Sequence, residues 1–115
     1  MIAGNWKMHK TVSEAVELAE DIVMETNGTL NEVVIFPPFT ALETVADAID
    51  GKHVGYGAQD LHWEDKGAFT GAVSGAMIAD ICAEYVLVGH SERRTIFGEN
   101  EKIVASKILP LTATT

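Results

Sequence analysis

Three polar residues stand where apolar runs end. His90 lies in VGHSERR, residues 88–94, directly behind one such run, and Asn5 and Lys7 stand two apart at the end of another. An amide and an ammonium can hold a small anion or a developing oxyanion, and an imidazole N–H can polarise a carbonyl. In extended backbone, residues two apart share a face. Asn5 and Lys7 are therefore expected to point one way, and His90 to share the face of Val88. A turn of helix opened by Ser91, Glu92, Arg93 and Arg94 would set its first amides beside the His90 ring. Such amides disfavour a positive charge, which suits the ring to donating a hydrogen bond rather than to acting as a base. Against this, a lone His or Lys at a strand end is more often structural. The Glu and Arg cluster serves equally as an exposed ion network.

The elements that must position these residues alternate between short apolar runs and amphipathic segments, four times over. That alternation is the signature of βα units and a parallel sheet. In such sheets chemistry collects at the carboxyl ends of the strands, where Asn5, Lys7 and His90 fall. Strands are expected over 2–5, 32–36, 53–57 and 85–88, the first unusually short, as though its beginning were missing. Helix one carries Val12, Ala15, Val16, Ala19, Ile22 and Val23 at helical spacing. Thr11 and Glu14 are placed as its capping box, and Asn27 and Gly28 as its stop. Thr40 and Glu43 form a second box, opening a helix that closes near Gly51. The turn-rich stretch 59–73 is longer than ordinary connections and is a candidate functional loop. A short helix over 75–83 and a last one over 100–109 follow. Pro110 is expected to stop that last helix and leave 110–115 a frayed tail. The chain reads as a single domain over 1–115.

Composition narrows the function. At 115 residues with 47% hydrophobic and 22% charged side chains, the chain is ordinary globular material. A net charge of −9 argues against nucleic acid or an anionic membrane surface as partner. The single cysteine, Cys82, permits no internal disulfide. Its apolar surroundings point to a buried packing thiol rather than a nucleophile. No apolar run is long enough to span a bilayer, and MIAGNWKMHK lacks the zones of a signal peptide, so a cytoplasmic protein is expected. Trp6 and Trp63 are expected to be packing residues, with loops around them that can reach an interface.

GNWKM at 4–8, FPPFTAL at 36–42, GAQD and WEDKGAFTG within 57–71, and VGHSERR at 88–94 occur in this order. Together they closely resemble triose-phosphate isomerase, from residue 1 to about residue 105. The resemblance implies the first four βα units of an eight-unit TIM barrel. It also implies an enzyme of glycolysis and gluconeogenesis that interconverts dihydroxyacetone phosphate and glyceraldehyde 3-phosphate with neither cofactor nor metal. Carried over residue by residue, it makes His90 the electrophile at the substrate carbonyl and Lys7 the cation that stabilises phosphate and developing charge. Asn5 becomes the substrate-binding asparagine beside it, Glu92 an acid in contact with the lysine, and Thr70 a residue that reaches a partner subunit's site. Ala72 stands where the family usually has a glutamate that pairs across the dimer with the arginine matched by Arg93.

A complete barrel of this kind takes about 250 residues. The sequence is therefore expected to be a truncated α/β barrel, lacking the family's proton-abstracting glutamate, its lid and its phosphate loops. Loss of the base alone is expected to remove roughly 2 to 4 orders of magnitude in rate. Four strands of a closed barrel leave two raw edges and an uncovered interior, so an open sheet or half barrel completed by self-association is expected, as a homodimer or tetramer. Three readings follow. The chain is an isomerase-like protein, inactive or strongly impaired alone; it is a non-catalytic homo-oligomer with a residual anion site; or an assembly restores activity through Glu92, Glu99 or a second chain.

Overall fold

The computed structural model describes residues 1–113. Its elements in chain order are β1 (Ile2–Asn5), α1 (Val12–Glu25), β2 (Val33–Phe36), α2 (Phe39–Ala48), β3 (Val54–Ala58), α3 (Gly75–Asp80), β4 (Tyr85–Val86), α4 (Ser91–Thr95) and α5 (Glu101–Ala113). The four strands form one parallel sheet in the order β1-β2-β3-β4, with Asn5 level with Phe36 and Ile35 level with Tyr56. This is the parallel sheet of βα units that the alternating pattern predicts.

Side-chain alternation along the strands divides the sheet into two faces. On the helix-covered face Val33, Ile35 and Val54 pack with Ala15 and Ala19 of α1 and Ala41 and Val45 of α2. The alanines matter because they let helix backbones approach the sheet closely. Each fully buried aliphatic side chain contributes about 1.5 to 3 kcal/mol. A second cluster, Leu42, Ala58, Leu61 and Ile78, is joined by Val86, Val88 and Leu111.

The other face is less open than expected. A Cβ on Gly57 would stand 2.6 Å from Phe36 Cε1, and one on Gly55 would stand 3.3 Å from Tyr85 Cε2. Two aromatic rings thus occupy the room that the glycines leave. Val34 is 0% and Phe36 4% exposed. The Tyr85 hydroxyl also donates to Glu32 across the sheet. The centre of the barrel-facing surface is covered by the chain's own side chains.

Local chemistry corrects several expectations. Glu14 Oε1 accepts from the Thr11 amide at 3.0 Å and its hydroxyl at 2.8 Å, so the first box forms. The second does not: α2 starts one residue before Thr40, with Pro38 at its N-cap and no side-chain cap. The Pro38 carbonyl accepts from the Ala41 amide at 3.0 Å, which winds the first turn without help from Thr40. Pro110 does not stop the last helix, which runs on to Ala113. Leu111 packs on the second core cluster, and this burial holds helical geometry beyond a residue that forfeits one hydrogen bond. Of the tail expected to fray, 110–113 are helical, and 114–115 lie outside the described residues.

Cys82 is exposed rather than buried. It takes a left-handed backbone, φ 61°, just past α3, and its amide donates to Ala79 at 2.9 Å. The helix stop turns the thiol away from the apolar residues around it. Trp6 does pack on the first core cluster, whereas Trp63 is 37% exposed.

Candidate functional site

The carboxyl ends of the strands border a cavity of about 540 Å³, lined among others by Asn5, Lys7, Gln59, Asp60, His90 and Glu92. Asn5 ends β1, Gln59 follows β3 and His90 follows β4, so the parallel sheet delivers all three to one rim.

Asn5 and Lys7 meet there by a route different from the extended alternation. Lys7 has φ 57°, and Asn5 Oδ1 accepts from the Lys7 amide at 2.9 Å. An asparagine side chain closing a turn on the backbone two residues on is a common local device, and here it ends the strand. With Oδ1 so used, the Asn5 amide nitrogen is the group left to donate. Lys7 Nζ reaches Glu92 Oε1 at 2.7 Å. That hydrogen bond from Lys7 holds the Glu92 carboxyl below the ordinary glutamate range; partial desolvation opposes it, and the charge of Lys7 adds to it.

His90 is the N-cap of α4, and its Nδ1 accepts from the Glu92 amide at 3.1 Å. Glu92 Oε2 also lies 3.5 Å from Nδ1, but the amide is nearer and fixed by the helix turn, so it sets Nδ1 as an acceptor. The ring proton then belongs to Nε2. A ring so arranged presents an Nε2–H that can donate a hydrogen bond. Glu92 thus serves twice, through its backbone on His90 and through its side chain on Lys7.

Behind the rim lies a four-membered ion cluster. Lys107 Nζ stands 2.7 Å from Asp60 Oδ1 and 2.6 Å from Glu99 Oε2, while Arg93 Nε stands 2.6 Å from Glu99 Oε2 and 3.3 Å from Asp60 Oδ2. Glu99 and Lys107 are buried. Burial pushes the Glu99 carboxyl upward, but hydrogen bonds from Lys107 and Arg93 outweigh it and leave the group below the ordinary range. Arg93 also lies 4.6 Å from the centre of the Phe97 ring. It is therefore tied within its own chain.

Thr70 is not brought to the rim; it lies exposed in the 59–73 loop and does not line the cavity. In the same loop His62 stacks between Trp63 and Phe69, each ring centre 4.1 Å away. Gln59, Asp60 and Lys107 escape sequence reasoning. Gln59 directly follows β3, which marks it as a rim residue but not what it bonds. Lys107 gives no local signal, because its partner Asp60 is 47 positions away. Among the described residues, no three His, Cys, Asp or Glu side chains are grouped to hold a metal ion. Nor is any helix there long and apolar enough to cross a membrane.

A parallel βα sheet with its polar residues gathered at the strands' carboxyl ends is the architecture of barrel enzymes. The sequence profile of the family described as Triosephosphate isomerase matches residues 1–114. The chain belongs to the triosephosphate isomerase family. It is 49% identical over 109 residues to the triosephosphate isomerase of Thermoanaerobacter pseudethanolicus, covering 95% of this chain and 44% of that protein. It is 50% identical over 109 residues to that of Moorella thermoacetica, with the same coverage. The crystal structure of triosephosphate isomerase from Bartonella henselae superposes with a TM-score of 0.87 at 35% identity, covering 97% of this chain and 46% of that one. The chain thus spans less than half the length of the relatives it matches.

Proposed function

We propose that this chain supplies the phosphate-contacting and carbonyl-polarising wall of a triose-phosphate isomerase site, and that alone it binds triose phosphate without isomerising it at an enzyme's rate. In this reading Lys7 and Asn5 hold the anionic end and the enediolate oxygen, and His90 Nε2 donates to the carbonyl. Isomerisation moves a proton between adjacent carbons, so a base must take it from one carbon and return it to the other. The observation that carries the reading is the state of the two carboxylates lining the cavity. Glu92 lies 2.7 Å from the Lys7 ammonium and Asp60 lies 2.7 Å from the Lys107 ammonium. The Glu92 carboxyl, held low by the Lys7 hydrogen bond, is a weakened base. Glu99, the other acid considered as a substitute, is held by Lys107 and Arg93.

The test is an isomerisation assay of the purified chain, with Lys7→Ala and His90→Ala beside it. The reading expects rates near the uncatalysed background in all three, together with phosphate binding that Lys7→Ala weakens. Turnover abolished by both substitutions would overturn it. A working site would place the protein in the cytoplasmic reactions of glycolysis and gluconeogenesis.

We propose also that the chain associates with itself, as a homodimer or tetramer. Support comes from apolar side chains on and around the cavity rim: Met8 is 93%, Phe69 43%, Phe39 38% and Trp63 37% exposed. Light scattering checks this, and a stable monomer at micromolar concentration would contradict it.

A further inference from the structure

The stretch between β1 and α1 carries Lys7 in a left-handed conformation that residues with a side chain seldom adopt. Something must hold it there. The Lys7 amide is taken by Asn5 Oδ1, at 2.9 Å. The Lys7 carbonyl is taken from across the sheet: Gln59 Nε2 donates to it at 2.9 Å and to the Phe36 carbonyl at 2.8 Å. The Phe36 carbonyl also accepts from the Trp6 amide at 3.1 Å. One side-chain amide from the end of β3 therefore fastens the Lys7 backbone to the end of β2, with each of its two hydrogens given to a different carbonyl.

From this geometry we infer that Gln59 is a positioning residue for Lys7. By clamping the Lys7 carbonyl it keeps the backbone turned so that the ammonium stands at the cavity rim against Glu92. The inference rests on the anion-binding role proposed for Lys7, but its physical content does not need a ligand. A glutamine is required because a glutamate of the same length, when ionised, offers the two carbonyls no hydrogen. A methionine of similar bulk offers none either.

The position of Lys7 is readable in the titration of Glu92, whose carboxyl is held low chiefly by the Lys7 hydrogen bond. Carbon-13 NMR titration of the glutamate carboxyls in wild type, Gln59→Met and Gln59→Glu is the test. The expected result is that Glu92 moves up toward the ordinary glutamate value in both variants. Glu14, held low by its own bonds to Thr11, should stay in place. An unmoved Glu92 in either folded variant overturns the inference. Should neither variant fold, wild type decides: the Gln59 side-chain amide protons must exchange with solvent more slowly than those of a free glutamine, and equal rates overturn the inference. Inorganic phosphate affinity should fall in Gln59→Met. Wild-type protein that ignores phosphate counts against the proposed function, and the Glu92 titration still judges Gln59.

Discussion

Lys107 on α5 reaches back 47 positions to Asp60, 2.7 Å from its carboxylate, and so ties the last helix to the residue that follows Gln59 at the site. Glu99 shares the same ammonium at 2.6 Å. The cluster links the α4–α5 turn, α5 and the start of the long loop, and its two carboxylates depend on two cations.

Lys107→Met should destabilise the protein by about 3 kcal/mol, at the low end for orphaning a buried carboxylate, because Arg93 still reaches Glu99. Urea unfolding followed by circular dichroism measures it. The double variant Lys107→Met with Glu99→Gln should recover part of the loss, since the uncompensated charge is then gone.

Glu99 sets an acid limit on stability. Its folded-state pKa is depressed below the ordinary 4.5, so the unfolded chain takes up its proton first as pH falls. The contribution is fully present above about 4.5 and fades as pH drops through the lower folded value. Unfolding midpoints should decline below that pH, and Glu99→Gln should flatten the decline.

The two glycines of β3 differ sharply. A Cβ on Gly57 would lie 2.5 Å from the Tyr85 carbonyl oxygen and 2.6 Å from Phe36, whereas on Gly55 the nearest atom is Tyr85 Cε2 at 3.3 Å. Gly57→Ala should cost about 2 to 3 kcal/mol or prevent folding, and Gly55→Ala should stay within about 1 kcal/mol. Thermal unfolding of the pair distinguishes them.

Glu92→Gln keeps an acceptor for the Lys7 ammonium while removing the charge that offsets it. Inorganic phosphate should then bind roughly two- to fivefold more tightly at low salt, the span expected of an exposed ion pair, and the gain should shrink as salt is added. Calorimetric titration at two ionic strengths measures both.

Much of this was legible in the residues because it depends on neighbours. The bounds of β1, the Thr11 and Glu14 cap and the short helix behind His90 each follow from side chains within four positions of one another. What depended on distant partners was hidden. Gln59 acts through the carbonyls of Lys7 and Phe36, and main-chain atoms leave no mark on a side-chain pattern. Pro110 misled because Leu111 finds a core to bury in, and Cys82 because a helix stop turns it outward. The expectation of an open barrel interior overlooked the rings of Phe36 and Tyr85, which fill the space above Gly57 and Gly55.

A site that binds without turning over should be visible in nitrogen-15 NMR of His90 in the presence of dihydroxyacetone phosphate. The Nε2 resonance should shift on addition of the ligand and lose that response in Lys7→Ala, while the same sample forms glyceraldehyde 3-phosphate no faster than buffer. An Nε2 signal indifferent to the ligand, or turnover that disappears in His90→Ala, would contradict binding without turnover at this site.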